Sequence, residues 1–152
     1  MQEVKTKNSD KITLPENFQP AGEDRKAQSV KKVLIVDDEP QICDDLNDFI
    51  RNQFPGIHIR TATEGFQAGW IARGWKPNIV LLDLMLPGID GFHVCRIIRA
   101  FQELAHTKVI VITGRGNGQR DKSFASGAVD YLTKPLDYTM LEQILKYRLY
   151  GT

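Results

Sequence analysis

Short runs of unbroken apolar residues, each followed by a stretch of helical periodicity, constrain this chain more than any other feature. Val33-Leu34-Ile35-Val36, Ile79-Val80-Leu81-Leu82 and Val109-Ile110-Val111-Ile112 are apolar at every position. A strand with one wet face alternates apolar and polar residues, whereas a continuous run suits a strand covered on both faces. Ile57-His58-Ile59-Arg60-Thr61-Ala62 alternates as a further strand, and Val129-Asp130-Tyr131-Leu132 supplies a fifth. Parallel strands need crossover connections, and helical segments occupy the intervals here. Five strands alternating with five helices predict an α/β fold, a doubly wound parallel sheet with helices on both faces.

The helices are read from periodicity and end signals. Ile42, Leu46, Phe49 and Ile50 recur at i, i+4, i+7 and i+8, one apolar stripe. Asp38 and Pro40 are expected to cap and open this helix, and Pro55-Gly56 to stop it. A second helix is expected over Glu64 to Arg73, ended by Gly74, with Trp70 and Trp75 packing on or covering it. Asp90 is the expected cap of a third helix through Phe92, Cys95 and Ile98. A short fourth helix ends near Gly127, and a fifth runs from Leu136 to Leu149 with Leu141, Ile144 and Leu145 inside.

Composition narrows the function classes. Twenty Lys and Arg against nineteen Asp and Glu leave a net charge of +1, so no global field draws nucleic acid or an acidic membrane. Cys43 and Cys95 fit no metal or redox spacing and read as buried apolar residues in a reducing compartment. The apolar runs are far shorter than the roughly 20 residues of a membrane-spanning helix, and Met1 to Lys11 lacks the apolar core of a signal peptide. A cytoplasmic location is expected. Residues 1–30 are poor in large apolar side chains and broken by Pro15, Pro20 and Gly22, so they are expected to form a flexible arm or linker before a domain over 31–152.

In open α/β sheets the functional crevice lies beyond the carboxyl ends of the strands. Asp37-Asp38 follow the first run, Asp83 the third strand and Thr113 the fourth, while Lys134-Pro135 follow the fifth. Carboxylates gathered at one edge repel each other and call for a cation; an all-oxygen set suits Mg²⁺. A Lys, a hydroxyl and a free carboxylate beside that cation form a site for a phosphoryl group, with the carboxylate as nucleophile.

The stretches V-L-I-V-D-D-E-P, I-V-L-L-D-L-M-L-P-G-I-D-G-F, V-I-V-I-T-G and G-A-V-D-Y-L-T-K-P occur in this order, and Asp38, Asp83, Thr113 and Lys134 stand at matching distances. From about Lys31 to Tyr150 the chain thereby resembles the receiver domain of two-component response regulators. The resemblance implies a flavodoxin-like fold with strand order 2-1-3-4-5. It implies that Asp83 accepts a phosphoryl group from the phosphohistidine of a sensor histidine kinase or phosphotransfer protein. Asp38, Asp83 and the backbone carbonyl of Met85 would ligate Mg²⁺, with Asp37 in its outer shell. Thr113 and Lys134 would bond the phosphoryl oxygens, and Tyr131 would be an aromatic switch responding to Thr113. Lys134-Pro135 would be cis. Met85 and Arg115, beside the path of the hydrolytic water, would set the lifetime of the phosphate.

Such a chain would be a signalling switch rather than an enzyme acting on other substrates. Its output would pass through the face made by the fourth helix, fifth strand and fifth helix, to an output protein or a missing output domain. A phosphorylation-linked homodimer is one form of that output; direct nucleic-acid or membrane binding by this domain is not expected. The alternative is a Mg²⁺-dependent phosphatase of the haloacid dehalogenase type. It wants D-x-D directly after its first strand, where this chain has adjacent Asp37-Asp38. His58, His93 and His106 share no ligand spacing, and Asp44, Asp45 and Asp48 read as a solvated helix face.

Overall fold

The computed structural model describes residues 29–114 and 117–152. The proposed arm therefore lies outside the described residues except for Ser29 and Val30, and Arg115 lies outside them too. Five parallel strands, β1 (Lys32–Val36), β2 (His58–Ala62), β3 (Ile79–Leu82), β4 (Lys108–Thr113) and β5 (Asp130–Thr133), form one sheet in the order β2-β1-β3-β4-β5. The connecting helices are α1 (Pro40–Gln53), α2 (Gly65–Trp75), α3 (Gly91–Ala100), α4 (Arg120–Ala125) and α5 (Tyr138–Tyr150). The expected fold class and strand order are both observed. Among the described residues no helix is long and apolar enough to cross a membrane.

Strand side chains alternate between two cores because successive Cβ atoms point to opposite faces. Leu34, Val36, Val80, Leu82, Val109 and Val111 pack with Ala68 and Ala72 of α2 and with Phe92, Cys95 and Ile98 of α3. Val33, Ile35, Ile79, Leu81, Ile110 and Ile112 pack with Cys43, Leu46 and Ile50 of α1 and with Leu141, Leu145 and Leu149 of α5. Double coverage explains the unbroken apolar runs. Edge strand β2, exposed or half-exposed except at Ala62, keeps its alternation. Cys43 and Cys95 are free and buried, one in each core.

Several boundaries differ from expectation. The N-cap of α1 is Glu39 rather than Asp38, and no side chain caps it. Pro40 opens the helix as expected, and the Glu39 carbonyl accepts from the Ile42 and Cys43 amides. Helix α2 runs through Gly74 to Trp75 and ends where Lys76 turns left-handed at φ 54, its N–H donating to the Ala72 carbonyl. Trp75 accounts for the two extra residues: it packs against the core, and the Arg60 guanidinium stacks 4.7 Å from its ring. Trp70 covers nothing, being 84% exposed. Helix α5 starts two residues late because Asp137 caps it, accepting from the Thr139 and Met140 amides.

Candidate functional site

The register of β1 against β3 pairs Val36 with Leu82, so the next residues, Asp37 and Asp83, leave adjacent strands side by side. Both are almost wholly buried, at 2% and 5% exposure. Each carboxylate is held by its own loop. Asp37 Oδ1 accepts from the Glu39 amide at 2.9 Å, and Asp83 Oδ1 accepts from the Met85 amide at 3.0 Å. In these Asx-type turns an Asp side chain bonds the backbone two residues on, which fixes its rotamer.

The second oxygens converge on one cation. Lys134 Nζ donates to Asp37 Oδ2 at 2.7 Å and to Asp83 Oδ2 at 3.1 Å, and reaches Glu39 Oε1 at 3.3 Å. Lys134 arrives from the far side of β4, its amide donating to the Thr113 carbonyl at 3.0 Å, and its bond to Pro135 is cis as expected. Burial draws the Lys134 ammonium downward in pKa, but the hydrogen bonds to Asp37 and Asp83 outweigh it and hold the group well above its usual range. Burial raises the Asp37 carboxyl, and the Lys134 hydrogen bond offsets that rise only in part.

The loop after β3 depends on a close approach of α3. A Cβ on Gly91 would lie 2.5 Å from Leu84 Cα and 2.6 Å from the Asp83 carbonyl oxygen, closer than real Cβ contacts come. The Gly91 amide donates to the Leu84 carbonyl, and Asp90 caps α3 through the His93 amide. The G-I-D-G segment thus holds the Asp83 loop against the helix start.

An open cleft of about 270 Å³ lies over these groups, lined by Asp38, Glu39, Asp83, Met85, Gly114 and Lys134. Asp38 is exposed on this lining. Among the described residues Asp37, Glu39 and Asp83 already bring ligand oxygens within 4.8 Å of one another, and Asp38 lines the same cleft. This all-oxygen set fits Mg²⁺, a hard cation that keeps several waters. Glu39 was not singled out from the sequence. The signal was its place as third acid in D-D-E, where the Asp37 turn folds it back over the cleft. Thr113, fully buried, ends β4; Tyr131 is half-buried on β5 against the α2–α3 core. The Met85 side chain is exposed.

A family model, the response regulator receiver domain, matches residues 33–146. The chain belongs to that family. Curated relatives include the DNA-binding dual master transcriptional regulator RpaA of Synechocystis, 38% identical over 107 residues, covering 70% of this chain and 44% of that protein. Another is the response regulator PleD of Caulobacter vibrioides, 38% identical over 111 residues, 72% of this chain and 24% of that protein. The chain spans less than half the length of these relatives. Among solved structures, a DNA-binding response regulator's receiver domain from Colwellia psychrerythraea 34H superposes with TM-score 0.75 at 35% identity, covering 80% of this chain and 99% of that one. The receiver domain of the sensor histidine kinase PA1611 of Pseudomonas aeruginosa PAO1, described with a magnesium ion in its active-site cleft, gives 0.72 at 27% identity, covering 82% and 100%. This chain is a phosphoacceptor receiver domain of a two-component system. The haloacid dehalogenase alternative has no support, since the match over 33–146 is the receiver's.

Proposed function

We propose that Asp83 is the phosphoacceptor. Its Oδ2 attacks phosphorus, forming the acyl phosphate P–O bond as the P–N bond of a phosphohistidine on a histidine kinase or phosphotransfer protein breaks. The observation that carries this reading is the sharing of Lys134 Nζ by Asp37 Oδ2 and Asp83 Oδ2 at the carboxyl edge of the sheet. Asp83 Oδ1 is held by the Met85 amide, so Oδ2 is the oxygen left to react once Lys134 moves onto the incoming phosphoryl group.

Mg²⁺ would be held by Asp38, Asp83 and the Met85 carbonyl, with Asp37 and Glu39 alongside, and when bound it neutralises charge on the phosphoryl oxygens. Lys134 and the Thr113 hydroxyl would bond those oxygens. Drawing Thr113 toward the phosphate gives Tyr131 a new packing position and alters the face of α4, β5 and α5 toward an output partner. Met85 and Arg115 would set how long the phosphate survives. The protein would work in the cytoplasm and catalyse only its own phosphorylation and dephosphorylation.

The test is labelling by acetyl phosphate with Mg²⁺, read by intact mass. Wild type should gain one phosphate that base and hydroxylamine remove, as expected of an acyl phosphate, and Asp83→Asn should gain none. Undiminished labelling of Asp83→Asn would overturn the assignment. Steady phosphate release from small phosphomonoesters would overturn the restriction to self-catalysis.

A further inference from the structure

Helix α2 carries the largest exposed aromatic side chains of the described residues, Phe66 at 70% and Trp70 at 84% exposure. Their i, i+4 spacing stacks them on one side of the helix. They form one rim of a groove of about 200 Å³, whose other wall is Ile89, Ile97 and Phe101 and whose floor includes Gly65 and Gly69. The one charge on this groove, Arg73, already lies over the Phe101 ring at 4.6 Å, so little remains to select a charged partner. Soluble monomers rarely leave such aromatic ridges in water without a use.

We propose that this α2–α3 face pairs with a second copy of the same chain, each copy laying Trp70 into the other's groove. The exposed rings are the rim of the groove they border, so a two-fold axis beside that rim lays each copy's Trp70 into the other's groove and fills both at once. Any other partner would need its own groove for Trp70 and its own ridge for this groove. Area agrees with a weak, specific contact. Rings of this size carry roughly 150–250 Å² each, so Phe66 and Trp70 together expose on the order of 300 Å². Doubling by symmetry and adding the groove walls gives on the order of 1,000 Å², the lower limit for a specific interface. This groove shares no lining residue with the Asp83 cleft and takes none from α4, β5 or α5, so the pairing is sought without phosphodonor.

The experiment uses the full chain, whose only tryptophans are Trp70 and Trp75. Trp75→Phe leaves Trp70 as the sole indole reporter. Sedimentation velocity and acrylamide quenching are followed together from low micromolar to near-millimolar protein, without phosphodonor. The expected result is a monomer that becomes a dimer as Trp70 grows less accessible to acrylamide. Trp70→Ala should weaken the dimer about tenfold or more, the usual loss for a central aromatic anchor. Gly69→Gln fills the groove where a Cβ meets nothing within 4 Å, so it should block pairing with the fold intact. A monomer at all concentrations would overturn the proposal. So would a dimer unaffected by Trp70→Ala and Gly69→Gln, or Trp70 protection that does not change on dilution, which would mean cover from within one chain.

Discussion

At the carboxyl edge of the sheet Asp37 and Asp83 are buried carboxylates, whereas on α2 Phe66 and Trp70 hold aromatic rings in water. Folding alone favours neither arrangement. Removing carboxylates from water is costly unless a cation and hydrogen bonds compensate, and Lys134 with the Glu39 and Met85 amides supplies both. Leaving the α2 rings exposed forgoes burial energy that Phe92, on the neighbouring helix, collects in full. The two regions teach one lesson from opposite sides. On the two readings proposed above, a residue that breaks the inside-outside rule marks a place for a binding partner: a cation and a phosphoryl group at one, the apolar surface of a second copy at the other.

The sharpest way to break the comparison is to truncate an aromatic in each setting. Phe92 is 2% exposed, and Phe92→Ala should cost about 3–5 kcal/mol in urea unfolding. Trp70→Ala, measured at a protein concentration low enough to keep the chain monomeric, should stay within about 0.5 kcal/mol of wild type. Equal costs would mean that Trp70 is part of the core and that the contrast is wrong.

Lys134→Met probes the other region. It leaves Asp37 and Asp83 facing each other without their shared ammonium. Removing one partner of a buried pair costs about 3–5 kcal/mol; this site opens on a cleft, so about 1–3 kcal/mol is expected in EDTA. Adding Mg²⁺, or Asp37→Asn in the same chain, should restore most of the loss. Full stability of Lys134→Met in EDTA would show that the two carboxylates carry no repulsion.

The smallest effect sharpens the contrast by showing an ordinary interior. Burial pushes the Cys95 thiol from 9.0 up to about 11, and burial likewise raises Cys43. A raised thiol pKa means the fold favours the protonated form. Its contribution to stability is whole below pH 9 and declines as pH climbs from 9 toward 11. Native protein at pH 8 should therefore leave both thiols unreactive to a disulfide reagent and release two equivalents only in denaturant. Rapid native reaction would place one thiol outside the cores.

Most of the fold was legible because double burial leaves a local record. An unbroken run such as Val33–Val36 tells of cover on both faces, and the stripe of Ile42, Leu46 and Ile50 tells which side of α1 faces the sheet. The site was legible as residue types at strand ends. Its inner arrangement was not. Asp37 and Asp38 are neighbours with the same side chain, and only the pleat leaving β1 decides that Asp37 turns inward while Asp38 stays exposed. Glu39 joins the cluster because the Asx turn at Asp37 folds it back, a bond no pattern of letters records. Gly74 looked like a helix stop, yet Trp75 packing against the core carries α2 beyond it.

The sequence by itself determined the parallel sheet, its two-sided cover and the gathering of acids, hydroxyl and lysine at one edge. Periodicity and strand-end position are properties of neighbouring residues, so they survive without coordinates. Only the tertiary structure decided that Lys134 reaches Asp37 across 97 residues to join two carboxylates, and that Trp70 stays in solvent beside an apolar groove. Both depend on how distant segments fill or leave space around a side chain, because burial belongs to the packed assembly and not to the residue.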